Sequence, residues 1–207
     1  MCFNYQVSLL TFLIGTISSF ILIKNGNPKY NAENIIFGIF LIFISSIQFM
    51  DFLFWIDLHN KIGINHIITI IGPLINIGQP LILYIIKLIY FKPQLLSVNS
   101  IPILILNLLY LFYIIRLFIN FISNEKLVTS TKHNHLSWPW IKYSTPLFYL
   151  LLLPINIFYL TNFNYSLIIY FITYLFLYLS YKFFSYNISE LWCFFGAFIP
   201  IIMYLVI

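Results

Sequence analysis

The chain has 207 residues, of which 62% are hydrophobic, 21% aromatic and only 7% charged. A mean hydropathy of +0.98 excludes a soluble domain. The formal net charge of +5 comes from nine lysines and one arginine spread along the chain, so it does not read as a nucleic-acid surface. Lys24, Lys29, Lys61, Lys92, Lys126 and Lys132 fall between apolar runs, where snorkelling and anionic headgroups account for them.

A helix needs roughly 20 apolar residues to cross a hydrocarbon core about 30 Å thick. Seven runs approach that length, at about Val7–Ile23, Ile35–Ile56, Ile67–Tyr90, Ile101–Ile122, Tyr143–Leu160, Ser166–Lys182 and Leu191–Ile207. Backbone groups in lipid must be paired within their own segment, and the alternation of a membrane barrel is missing. The expected architecture is therefore an all-α membrane protein, a bundle of seven transmembrane helices forming a single domain over 1–207. Residues Met1 to Tyr5 carry no basic residue, and no small-x-small site follows the first run, which predicts a permanent first helix rather than a cleaved leader.

Seven crossings put residues 1–6, 57–66, 123–142 and 183–190 on one side of the membrane, here side A. Residues 24–34, 91–100 and 161–165 then lie on side B with the C-terminal end. Basic residues divide almost evenly between the two, so the positive-inside rule sets no orientation. His59, His66, His133 and His135 all fall on side A, with Cys2, Cys193, Asp51, Asp57, Glu125 and Glu190; Glu33 is on side B.

The second run contains Gln48, Asp51 and Trp55 at i, i+3, i+7 spacing, on one helical face. An acid at mid-bilayer costs roughly 2.5–3.5 kcal/mol on insertion scales, so it faces the bundle with a partner and marks a candidate site; the alternative is a protonated or hydrogen-bonded structural Asp51, or one shallow enough to reach the interface. The third run holds Gly72-Pro73 and then Asn76-Ile-Gly-Gln79-Pro80. This composition predicts a broken helix, with Asn76 and Gln79 one turn apart and able to face Gln48 and Asp51. Asn107 and Asn156 extend the polar interior, though Asn is common throughout this chain.

The polar connection 123–142 includes Trp138-Pro-Trp140 and reads as a surface loop whose indoles sit at the headgroup level. The last run begins Ser189-Glu190-Leu-Trp192-Cys193. Glu190 suits a helix N-terminus and lies one turn from Cys193 on one face. Cys2, Cys193, His59 and His66, with Asp51 or Glu190, have the ligand types for a divalent metal such as zinc, but their spacing matches no metal signature. No lysine in the last helix allows a retinal Schiff base, and no G-x-S-x-G, H-E-x-x-H or phosphate loop occurs.

Met1-Cys2-Phe3, the acid-then-Trp pattern of Asp51 and Trp55, Gln79-Pro80 and Trp192-Cys193 together resemble an uncharacterised family of small multi-helix membrane proteins. Its members begin Met-Cys-Phe-Ser or Met-Cys-Trp-Ser and come from bacteria, fungi and large DNA viruses; this chain departs with Asn4. The resemblance implies a seven-helix fold and a role for Cys2 and Asp51, and no activity.

Three functions fit these residues. The first is a small transporter, channel or ligand-binding protein in the bilayer, taking a small solute, ion or lipid at Asp51, Gln48, Asn76, Gln79, Glu190 and Trp55. The second is a membrane-embedded, metal-dependent hydrolase or lipid-modifying enzyme. The third is a structural or envelope protein in which the buried polar groups serve as packing glue.

Overall fold

The computed structural model describes residues 4–93, 97–124, 126–132, 135–144, 146–183 and 188–207, without the side chains of 188–191. Among them are nine α-helices: α1 Tyr5–Asn25, α2 Asn31–Ile56, α3 Ile64–Ile77, α4 Gln79–Phe91, α5 Ile101–Asn124, α6 Pro146–Phe158, α7 Phe163–Phe183, α8 Ile188–Gly196 and α9 Ile199–Val206. A two-stranded antiparallel hairpin, β1 Ser130–Lys132 and β2 His135–Ser137, stands between α5 and α6.

Four of these helices, α1, α2, α5 and α7, are long and apolar enough to cross a membrane. The α3–α4 pair is long and apolar enough only when taken together, and it is bent by 64° at its break, as a broken span or a re-entrant loop would be. The other two expected spans appear as shorter apolar pieces. The fifth run is the 13-residue α6, and the last is α8–α9, interrupted at Ala197-Phe198. At about 1.5 Å per residue, α6 covers only about 20 Å.

Helix α1 starts where the Asn4 side chain accepts the Val7 backbone N–H at 2.9 Å, supplying a partner to an otherwise orphaned N-terminal donor. Lipid offers no hydrophobic drive between apolar helices, so close association depends on small residues. The α1–α2 hairpin shows this: a Cβ on Gly15 would lie 2.2 Å from the Ser45 Oγ. The hydroxyls at that seam bond back to their own helices, Ser19 to the Gly15 carbonyl at 2.7 Å and Ser45 to Leu41 at 2.8 Å. They therefore present little uncompensated polarity to the partner helix. Outward faces carry Leu10, Ile17, Phe112, Ile119 and Phe171, all exposed.

Helix α2 is the central element, touching α1, α3, α4 and α8. Buried apolar residues form two clusters. One gathers Met50, Phe54, Ile77, Tyr110, Phe121 and Cys193 with Leu136, Trp138 and Trp140 from the 126–144 connection. The other gathers Phe37, Leu41, Leu83, Ile157, Tyr165 and Met203.

Candidate functional site

The expected surface loop is not a surface loop. Residues 126–132 and 135–144 form a strap that turns inward and buries Trp138 and Trp140, at 3% and 0% exposure. Its outer end is held on α3. The Thr129 backbone N–H donates to Asn65 Oδ1 at 2.8 Å, Asn65 Nδ2 donates to the Thr129 carbonyl at 2.9 Å, and the Thr69 and Thr129 hydroxyls meet at 2.9 Å. His66 Nδ1 meets the Leu127 carbonyl at 2.9 Å. After β2 the chain enters a short 3-10 turn, Pro139–Tyr143, which carries Trp140.

Inside the bundle the Trp138 Nε1–H donates to the Asp51 carboxylate at 3.1 Å. The two indoles stack, with centroids 5.2 Å apart and planes 17° from parallel. Trp140 reaches α3, its Nε1 lying 3.5 Å from Asn76 Oδ1. Gly72 makes that approach possible, because a Cβ there would sit 2.3 Å from the Trp140 ring. The glycine that reads as a helix loosener in the sequence is thus the seat for an indole.

The polar chain continues from Asn76 to the last helices. Asn76 Nδ2 and Gln79 Nε2 lie 3.8 and 4.0 Å from Cys193 Sγ, and the Tyr149 hydroxyl donates to Gln79 Oε1. Beyond Cys193 the surroundings are apolar, a narrow space walled by Phe40, Ile44, Leu153 and Ile169. The Trp192 Nε1, on the same wall, has no hydrogen-bond partner among the described residues.

The break between α3 and α4 falls at Gly78, where Pro80 cannot donate to the preceding turn. Its loosened carbonyls are taken up by neighbours. Tyr110 donates to the Ile77 carbonyl at 2.8 Å, and Asn156 Nδ2 donates to the Pro80 carbonyl at 2.8 Å. Asn107 and Asn156 bond each other reciprocally, at 3.1 and 2.9 Å. Both are therefore working members of the interior rather than bystanders of a biased composition.

The expected face of α2 is present. Asp51 and Gln48 are both 0% exposed. Asp51 is tied to the strap, whereas neither polar atom of Gln48 has a hydrogen-bond partner among the described residues. Leaving a buried polar group unpaired costs about 1–3 kcal/mol. Trp55 is half-buried, and its Nε1 also lacks a partner among the described residues.

The expected metal ligands do not gather among the described residues. His59 is exposed, His66 is engaged with Leu127, and Cys193 sits among amides. No group of three His, Cys, Asp or Glu side chains forms an ion site among the described residues. Cys2 and the Glu190 side chain lie outside them; the Glu190 backbone is in the first turn of α8.

Asp57 serves α3 instead of a ligand. Its carboxylate accepts the backbone N–H groups of Ile62 at 3.1 Å and Asn65 at 3.2 Å. Burial pushes the carboxyl upward, but these backbone donors outweigh it and hold Asp57 below the usual carboxylate range.

A second polar cluster, where α4 meets the α6–α7 turn, centres on Lys87, which is 0% exposed. Its Nζ donates to the carbonyls of Asn156, Ile157 and Tyr159 and to the Thr161 hydroxyl, while lying 5.2 Å from the Phe37 ring centroid. A cation is thus placed on the carbonyls that end α6, where the helix dipole is negative. Nearby, Glu33 accepts the Asn162 backbone N–H at 2.9 Å.

Sequence reasoning missed Trp138, Trp140, Tyr149 and Lys87. Two signals were available: a long polar connection carrying two indoles, since such connections are often functional, and a lysine with apolar neighbours on both sides. Comparison with protein-family models, curated proteins and solved structures finds no match for this chain.

Proposed function

We propose that the protein is a small multi-pass membrane transporter that binds its substrate or a coupling ion at Asp51, with Gln48, Asn76 and Gln79 as amide partners. In this reading α6 and α8–α9 complete seven crossings, and the state described is occluded. The observation that carries it is the buried Asp51 carboxylate closed off by an indole delivered from a strap, beside a span broken at Gly78. Ionisable groups inside a bundle mark ion or substrate paths, and discontinuous helices line such sites in transporters.

The two halves of the broken span divide the closure between them. Helix α3 holds the strap on side A through Asn65, Thr69, Gly72 and Asn76. Helix α4 holds the α6–α7 turn on side B through Lys87. A change of bend at Gly78 would move one hold relative to the other, which is what alternating access requires. Gln79, Trp192 and Cys193, part of the resemblance to small multi-helix membrane proteins, then lie at the inner end of the same polar chain.

The test is proton flux in proteoliposomes, read by an entrapped pH dye under an imposed potential. The wild type is expected to dissipate the gradient and Asp51→Asn to abolish that flux. Equal flux in both proteins, or none in either across pH and ion gradients, overturns the reading.

A further inference from the structure

Lys87 meets more acceptors than it has protons. An ammonium group carries three N–H donors, yet four oxygens converge on this Nζ. They are the carbonyls of Ile157 at 2.9 Å and Tyr159 at 2.7 Å, the Thr161 hydroxyl at 3.2 Å and, nearest of all, the Asn156 carbonyl. The Phe37 ring faces the same atom, its centroid 5.2 Å away. A helix cap needs no more acceptors than there are protons to share. A surplus is what surrounds a bound ion, where carbonyl oxygens take the place of hydration.

The chain builds and braces this shell by itself. Helix α6 ends at Phe158, and Leu160 follows with φ 59°, in the left-handed region. A non-glycine residue there costs about 1–3 kcal/mol and persists where its surroundings hold it. The reversal turns the Tyr159 carbonyl and the Thr161 hydroxyl to the point that the last carbonyls of α6 face. Behind them, Asn156 Nδ2 donates to the Pro80 carbonyl and to Asn107, the Thr161 hydroxyl meets Ser166 Oγ at 2.8 Å, and Glu33 accepts the Asn162 N–H at 2.9 Å. Negative potential comes from the helix C-terminus and from the Glu33 carboxylate, which attracts Lys87 electrostatically. The Ile157, Tyr159 and Thr161 separations exceed the roughly 2.0–2.1 Å that oxygen takes on Mg2+ and 2.3–2.6 Å on Ca2+. They suit ammonium, and potassium is close to it in size.

We infer that the C-terminal end of α6 is a binding site for a monovalent cation of ammonium or potassium size, and that the Lys87 amine is its tethered occupant. This goes beyond the reading of Asp51 and does not rest on it. The tether makes the hold of α4 on the α6–α7 turn independent of ions in solution, and a chain without the amine takes a free ion instead.

The experiment is thermal unfolding and hydrogen exchange of the detergent-purified full chain in NH4Cl, KCl or choline chloride, at equal ionic strength and one pH. Choline is the control, being too large and lacking an N–H. Lys87→Met keeps the apolar stem and stops short of Nζ, which vacates the shell. In this variant NH4+ or K+ should raise Tm saturably over choline. Protection over residues 155–162 should rise about tenfold at roughly ten times the dissociation constant, by mass action on the folded state. The wild type, its shell filled, should show no such difference. Lys87→Gln keeps a neutral donor on the carbonyls, so it should fold more readily and show the same preference in weaker form. A Lys87→Met chain that folds in ammonium or potassium and not in choline supports the inference. Equal Tm in the three salts for both variants, failure of both to fold in any of them, or an equal response in the wild type overturns it. Asp51-dependent proton flux is measured separately in the wild type, so either reading can fail without the other.

Discussion

The Trp138 indole donates a 3.1 Å hydrogen bond to the Asp51 carboxylate, although the two residues are 87 positions apart and the first belongs to a polar connection. A buried hydrogen bond of this kind contributes about 0.5–1.5 kcal/mol net, and the strap's inward turn delivers it. Trp138→Phe keeps the ring and its stacking on Trp140 while removing the donor. Its expected effect is a destabilisation of that size in SDS titration. In a double-mutant cycle with Asp51→Asn, a coupling energy near zero would show that the contact contributes nothing.

Gly72 leaves the space that Trp140 fills. Gly72→Ala places a methyl 2.3 Å from the ring, so either the indole or the helix must shift. Overpacking of this kind costs about 1–3 kcal/mol. The thermal midpoint should fall, and Trp140→Leu in the same chain should restore part of the loss, because it removes the clashing atoms. Absence of that rescue would place the damage elsewhere.

Lys87 caps α6 from a neighbouring helix. Lys87→Met retains the apolar stem and leaves the carbonyls of Asn156, Ile157 and Tyr159 without their shared cation. With each orphaned group costing about 1–3 kcal/mol, the total should reach about 3 kcal/mol or more. Hydrogen exchange should localise the loosening to residues 155–162. Uniform protection there in the variant would refute the capping role.

Asp57 links pH to the end of α3 nearest the strap. Its folded carboxyl is depressed below the ordinary 3.8, so its contribution is fully present above that value. As pH falls below 3.8 and through the folded pKa, the proton taken up removes the acceptor for Ile62 and Asn65, and stability drops. Asp57→Ala should lower the midpoint at neutral pH and flatten its dependence on pH below 4. A variant that keeps the wild-type acid profile would assign that profile to another group.

Reading the sequence located most of the α2 face and the α3–α4 break, because each is a local property. Gln48, Asp51 and Trp55 share a face by helical period alone, and Gly78 with Pro80 cannot sustain an unbroken ladder. Two expected spans, Tyr143–Leu160 and Leu191–Ile207, came out as the 13-residue α6 and the interrupted α8–α9. Hydropathy counts apolar residues without weighing where Pro146, Pro200 or a turn will end a helix. The strap was misread for a related reason: Trp at a membrane boundary is usually an interfacial anchor, and only the cavity above Gly72 distinguishes an anchor from a plug.

The sequence by itself determined the helical class, the presence of helices long and apolar enough to cross a membrane, and an acid that such a helix must hide. These follow from transfer free energies and from the need to pair every backbone group in lipid. Only the tertiary structure decided the partners: an indole for Asp51, carbonyls for Lys87, backbone amides for Asp57 and, among the described residues, none for Gln48. Partnership depends on distances of about 3 Å between segments far apart in the chain, and no local periodicity carries that information.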